Sequence, residues 1–272
     1  MSSSQQHTNN NQSQVVFQRG DEISKGNFCE VYLCLNTETT EIFAVKKYEE
    51  SDRLEEKEIQ RLRELEQNAR VLSRIPKHAN IVQYYGIEKA HDHSVSIFME
   101  YVPGGNIRTI VDRFGQLEER IVQKYTSQIL TAITHLHYHR VAHGGLTNKH
   151  TYVASDGTIK IGHTAGALGS RLDMVHVRQN KIRSETIERF CIAIAKDLLA
   201  VAVMVLEMAT ADTDNAIETE KMLKNVDIRR SDEEEYVTRG HDLVSRLVKY
   251  VKHTPGSLTS SGTKFVSVIV KQ

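Results

Sequence analysis

Apolar and polar positions alternate between residues 15 and 48, in VVFQRGDEI, VYLCLN and EIFAVKKY, with the turn TETT between the last two. A period of two places successive side chains on opposite faces of an extended chain, so three strands are predicted. The period changes over 52–75. There Ile59, Leu62, Leu65, Ala69 and Leu72 recur at steps of three and four among Glu, Arg and Lys. That spacing predicts a helix with a single apolar stripe. NIVQYYGIE and SVSIFMEYV restore the strand pattern on either side of the polar tip KAHDH. The punctuation VPGG at 102–105 then marks a boundary. Beyond it the pattern is helical over 106–114, 119–139, the apolar run 192–209, and 241–253. Asp156-Gly157 reads as a turn between strands. The chain has no internal repeat. A strand-rich small lobe, a short hinge and a helical large lobe are expected.

Composition narrows the class. A chain of 272 residues is long enough for two lobes, each with its own core. Its 35 basic and 35 acidic residues cancel, so no net field favours nucleic acid or an anionic lipid surface. No apolar run reaches the length of a membrane span. The opening MSSSQQHTNNNQSQ lacks the basic and apolar regions of a secretory signal and is too polar to fold, which predicts a disordered tail over 1–18. The small lobe with its hinge is then expected over 19–102 and the large lobe over 103–272. Cys29, Cys34 and Cys191 form no CxxC pair and no even set, as in a reducing compartment. A soluble cytoplasmic protein is the expectation.

Several motifs follow one another in a recognisable order: ISKGNFCEVYL, FAVKK, NIVQYYG, SIFMEYVPGGNI, KYTSQIL, HLH, GTIKIG and KDLLAVAVMVLEMAT. In order and spacing they resemble a eukaryotic protein kinase domain. The wording of NIVQYYG and IFMEYVPGGNI is most similar to the MAP kinase kinase kinase family of the MEKK type. The match covers roughly residue 19 to the end. The resemblance implies an α+β, bilobal protein-kinase-like fold, with a five-stranded small lobe carrying one main helix and a helical large lobe.

It also implies a nucleotide site. The three glycines of the family's phosphate-covering loop fall on Ser24, Gly26 and Cys29, of which only the second is kept, and Cys29 puts a side chain where the loop should lie flat. Val31 and Ala44 take the upper wall, Met99 the gatekeeper position, Glu100, Tyr101 and Val102 the hinge. Tyr152 takes the floor, where a leucine is usual. Lys46 falls on the phosphate-pairing lysine. Its partner glutamate is replaced by Asn68, and the nearest substitute, Glu64, lies four residues earlier, about 6 Å along a helix axis.

The stretch VAHGGLTNKHTYV at 141–153 departs furthest from the family. His143 is retained. Gly144 replaces an arginine, Gly145 the catalytic aspartate, Thr147 a phosphate-contacting lysine and His150 a metal-binding asparagine. His163-Thr164-Ala165 stands in place of Asp-Phe-Gly. A positioned general base is worth roughly a hundred- to ten-thousand-fold in rate, and metal charge stabilisation several kcal/mol more, about another large factor. Mg²⁺ requires oxygen ligands, for which imidazole is a poor substitute. No residue is therefore assigned a catalytic role or a metal.

Other positions agree. The activation-loop segment is short, with Ser170 the only hydroxyl between residues 166 and 183. Glu185 meets Leu258 where an arginine partner is usual, and Thr164 interrupts a stack that would include Leu72 and His143. Asp197 matches the aspartate that braces the catalytic loop from below, a structural role. His135, His139 and His143 are spaced by four, and His137 lies beside them. This raises a metal site, but no cysteine or carboxylate joins them and packing is the favoured reading. The tip at 91–93 and the acidic run at 232–235 read as surface loops.

The resemblance with these losses implies a pseudokinase that works by binding, as scaffold or allosteric partner of protein kinases in a MAP kinase cascade, engaged mainly through the small lobe. ATP is expected to bind weakly and without Mg²⁺. The alternative is an ATP-binding Ser/Thr kinase of the same family with residual or displaced catalysis.

Overall fold

The computed structural model describes residues 16–26, 29–48, 71, 74–89, 94–162 and 184–211. Two compact units divide the chain: Met1–Lys77 with Val82–Val102, and His78–Ile81 with Pro103–Gln272.

In the first unit five strands, β1 (Phe17–Lys25), β2 (Glu30–Asn36), β3 (Ile42–Tyr48), β4 (Tyr84–Lys89) and β5 (Val95–Glu100), form one antiparallel sheet in the order β1-β2-β3-β5-β4. Alternation dictates two unlike faces. One carries the buried cluster Tyr32, Cys34, Phe43 and Val45, with Phe17 and Phe98 packed against it. Phe17 meets Phe43 and Phe98 edge-on, with ring centroids 5.7 and 5.8 Å apart. Such pairs add about 1 kcal/mol each beyond the area they bury. The Arg19 guanidinium lies 3.3 Å above the Tyr32 ring. Burial pushes the Cys34 thiol up to about 11, so it packs as an inert apolar group. The opposite face carries Val31, Ala44, Lys46 and Met99. The β2–β3 turn is closed by Asn36, whose Oδ1 accepts the N–H groups of Glu38 and Thr39.

The second unit contains α1 (Ile107–Phe114), α2 (Glu119–Tyr138), α3 (Ser184–Thr210), a 3-10 turn at Asn148–His150, and a two-stranded sheet of β6 (Thr151–Val153) and β7 (Ile159–Ile161). Asn106 starts α1 by accepting the Thr109 N–H at 2.8 Å. Along α2 the buried positions Val122, Thr126, Ile129, Ala132, Ile133 and Leu136 follow helical spacing. They face an apolar stripe of α3 in which Leu198, Val201, Met204, Val205 and Met208 are almost fully buried. Among the described residues no helix is long and apolar enough to cross a membrane.

Three boundaries differ from the sequence expectation. Strand β1 begins at Phe17, inside the 1–18 tail, because the Phe17 ring joins the aromatic cluster. Helix α3 begins at Ser184, ahead of the apolar run at 192–209, whose hydrophobicity marks only part of its length. The third is NIVQYYGIE, read as one strand. It is split: β4 starts at Tyr84, and Asn80 and Ile81 belong to the helical unit. The cause is the Asn80 side chain, whose amide donates to Gln128 Oε1 and to the Ile159 carbonyl, both at 2.9 Å. Ile81 then bridges Ile161 in parallel. The expectations at Glu64, Asn68, Leu72, 91–93, His163, Thr164, Ala165, Ser170, 232–235, 241–253 and Leu258 lie outside the described residues, as does the Glu185 pairing.

Candidate functional site

The sheet register brings the expected nucleotide residues of the first unit onto one face. Val31 pairs with Lys46 and Lys46 with Ile97. Leu33 pairs with Ala44 and Ala44 with Met99. Paired residues share a face, so Val31, Ala44, Lys46 and Met99 lie in two adjacent rows. Among the described residues no carboxylate forms an ion pair with Lys46. Its ammonium lies 5.3 Å from the centre of the Tyr48 ring, two residues on along the same strand. Glu100 faces the other way, opposite Phe43, and its Oε2 accepts the Gln83 N–H at 3.1 Å. Val102 follows the end of β5 and is half-buried.

At the β1–β2 turn Ser24 pairs with Val31, and the Gly26 N–H donates to the Cys29 carbonyl at 2.8 Å. A side chain at Gly26 would stand 3.2 Å from the Cys29 sulfur. Cys29 thus fills the space that Gly26 leaves. The exposed Lys25 and Glu30 meet at 2.7 Å beside it, an ion pair of little consequence for stability.

In the second unit Asp197 organises the 141–145 segment. Its Oδ2 accepts the His143 N–H and its Oδ1 the Gly144 N–H, each at 2.7 Å. His137 Nε2 completes the set at 2.9 Å from Oδ2. The carboxylate is 1% exposed, and a buried charge persists only with such a complement. His143 is equally buried. Its Nε2 donates to the Gly162 carbonyl at 3.1 Å and its Nδ1 accepts the Gly145 N–H at 3.3 Å. One donor and one acceptor fit a neutral ring, and burial accordingly pushes its pKa down against the opposing pull of Asp197. Gly144 has φ of 75°, a left-handed backbone that glycine adopts without strain.

The two substituted positions that follow are tied to each other. Thr147 Oγ1 lies 2.9 Å from His150 Nδ1, and the His150 carbonyl accepts the Gly162 N–H at 2.7 Å. Tyr152, on β6, turns its ring across Gly162. A Cβ added there would meet Tyr152 Cε2 at 2.5 Å. The chemistry of this donor set does not suit Mg²⁺: residues 141–153 supply imidazole, hydroxyl and amide groups but no carboxylate. Asp156, the nearest acid in sequence, accepts the Thr158 N–H at 2.8 Å within the β6–β7 turn.

Sequence reasoning missed a second polar group. Asn148, 1% exposed, donates to Glu207 Oε2 at 2.7 Å and to the Met204 carbonyl at 3.2 Å. Arg108 pairs with Glu207 at 2.5 Å and with Asp112 at 2.8 Å. The i, i+4 spacing of Arg108 and Asp112 was the one available signal; the link to Glu207 spans 99 residues. The histidines also separate. His135 and His139 meet edge-on with rings 4.7 Å apart, whereas His137 and His143 turn to Asp197 and Gly162.

A sheet that aligns Val31, Ala44 and Lys46, with a helical unit that braces a His-Gly-Gly loop on a buried aspartate, defines a kinase-type scaffold. The protein kinase domain family matches residues 17–251, and the chain belongs to that family. Among curated relatives it is similar to mitogen-activated protein kinase kinase kinase 2 of Arabidopsis thaliana, 32% identical over 54% of the chain and 23% of the relative. Mitogen-activated protein kinase kinase kinase 4 of Mus musculus is 34% identical over 54% of the chain and 9% of its own length. The similarity to mitogen-activated protein kinase kinase kinase A of Dictyostelium discoideum is 27% over 72% of the chain and 21% of that protein. The chain thus spans less than a quarter of the length of these relatives. It is a kinase domain related to the MAP kinase kinase kinases.

Proposed function

We propose that this domain is a pseudokinase that acts by binding, as scaffold or allosteric partner of protein kinases in a MAP kinase cascade, in the cytoplasm. The observation that carries the reading is the contrast within one loop. Asp197 holds the 143–144 backbone in place, yet the positions it presents carry Gly145 and the Thr147–His150 pair, with no carboxylate to take the proton of a hydroxyl nucleophile. Phosphoryl transfer depends on positioning and electrostatics, and the electrostatic half is missing from these residues. Binding that alters a partner kinase requires different affinities for the partner's two states, which a folded domain without turnover can supply.

Retention of Lys46 beside Val31 and Ala44 supports ATP as a weak ligand. The sheet face and the hinge backbone at Glu100–Val102 would hold adenine, and Lys46 would meet the phosphates. The rival is a kinase with displaced catalytic groups. Labelled-phosphate transfer by the purified protein, to itself and to a general substrate, separates them, with Lys46→Ala as the control for contaminating kinases. The proposal expects no incorporation above that control. Incorporation that Lys46→Ala abolishes would establish the rival.

A further inference from the structure

Three imidazoles from two parts of the chain cluster in the helical unit. His135 on α2 and His139, the residue that caps the helix one turn later, have ring centroids 4.7 Å apart at 62°, an edge-on contact, and His78 lies 4.7 Å from His135, tilted by 32°. Tyr138, 80% exposed, closes the outer end edge-on to His139 at 5.2 Å, so the cluster is reached from solvent. His78 opens the short segment His78–Ile81, which belongs to the helical unit although the chain on both sides of it belongs to the sheet unit. Among the described residues that segment is held by the Asn80 amide on Gln128 and Ile159, the Ile161 N–H on the Asn80 carbonyl at 2.9 Å, and the histidine cluster.

Three histidines raise a metal first. The hydrogen bonding argues against it. His78 Nδ1 accepts the Asn80 N–H at 3.1 Å, which places the ring's single proton on Nε2 and leaves no lone pair for a metal. Among the described residues no group of three His, Cys, Asp or Glu is arranged to hold a metal ion.

We propose that His78, His135 and His139 form an acid-released clasp that holds residues 78–81 on the helical unit. The cluster is stable only while His78 and His139 are neutral. A proton on His78 must go to Nδ1, which breaks the Asn80 bond, and any proton on the cluster sets a cation against its neighbours. The charged groups that act on His78 are His135 from α2 and Lys160 from β7, and the one that acts on His139 is His135. All are basic, and no described carboxylate is among them. Burial is the leading cause that holds both rings below their ordinary value of 6.5, with these neighbours next. The sign follows from linkage: a folded state that resists protons loses stability as pH falls below the unfolded value. The segment is therefore docked at neutral pH and released on acidification.

Amide hydrogen exchange of the full chain, corrected for the intrinsic pH dependence and followed from about pH 7.5 to about pH 5, reads this directly. Protection of peptides covering 78–81 and 159–161 should fall by up to about ten-fold per pH unit for each proton taken up, while peptides from the middle of α2 hold theirs. His78→Asn keeps an acceptor for the Asn80 N–H but cannot titrate, and should retain protection at low pH. His139→Gln, at the solvent end, should shallow the dependence and serves if His78→Asn does not fold. Protection that is flat with pH in the native chain, or that falls as steeply in both variants, overturns the proposal.

Discussion

Asp197 holds Gly144 by its backbone: the buried Oδ1 accepts the Gly144 N–H at 2.7 Å. The bond takes a main-chain group and is indifferent to the side chain, so the fold of this loop does not depend on the acid that the family carries next to it. That is how the loop survives with Gly145 in place. The cost of losing the brace should be large. Asp197→Ala strands the buried His143 N–H, and takes the acceptor from the Gly144 N–H and His137, at about 3 kcal/mol or more. Urea denaturation is the check, and an unchanged midpoint would mean that the brace does not hold the loop.

A second prediction concerns Tyr152. Its ring occupies the place a side chain at Gly162 would need, with Cε2 2.5 Å from that position. Gly162→Ala should destabilise by about 1–3 kcal/mol through overpacking. Tyr152→Leu, which removes the obstructing ring edge, should relieve most of that loss. A double-mutant cycle on unfolding free energies measures the coupling. Additive effects would show that the two positions do not meet in solution.

The architecture was largely legible in the residues because it rests on local periodicity. Alternation in EIFAVKKY and three-four spacing along α2 each fix a face without reference to the rest of the chain. The substituted positions Gly145, Thr147 and His150 were legible for a different reason, since the spacing of the surrounding motifs sets their register. What a neighbour does was not legible. Nothing near Asn80 announces that its amide will cross to Gln128, and nothing near Arg108 announces Glu207 as its partner. Four-residue spacing grouped His143 with His135 and His139, but His143 lies past the end of α2, where helical periodicity no longer applies, and it turns to Gly162. Long-range partners depend on the packed fold.

Arg108 should prove asymmetric between its two acids. The Glu207 side chain is 13% exposed and the Asp112 side chain 52% exposed. Asp112→Ala should therefore cost less than about 0.5 kcal/mol, as for other exposed pairs. Arg108→Ala leaves a mostly buried carboxylate with Asn148 as its side-chain donor among the described residues and should cost about 2 kcal/mol. Thermal unfolding of both variants tests the order, which the opposite ranking would refute.

Acid should weaken the fold through His143 as well as through the surface cluster. Burial holds its folded pKa below 6.5, so the unfolded chain takes up the proton first as pH drops. Stability should then decline below about pH 6.5, by up to about 1.4 kcal/mol per pH unit for each such histidine. Urea midpoints at about pH 7.5 and about pH 5.5 give the slope. A midpoint that rises on acidification would show that the Asp197 attraction outweighs burial.

The last prediction separates nucleotide binding from catalysis. Lys46 keeps its place on the face with Val31 and Ala44, whereas the described loop residues offer nothing that Mg²⁺ prefers. Any ATP bound should thus rely on the sheet face and on one ammonium, and the stabilisation it brings should be the same with or without the metal. A ligand that binds only the folded state adds RT ln(1 + [L]/Kd), about 2.7 kcal/mol at a hundred-fold excess over Kd, so even weak binding raises the melting temperature once the concentration is high enough. The shift should shrink in Lys46→Ala for ATP and stay unchanged for adenosine, which has no phosphate for the lysine to meet. Tight binding that appears only with Mg²⁺ would contradict this and would place a functional metal site on residues beyond the 141–153 loop.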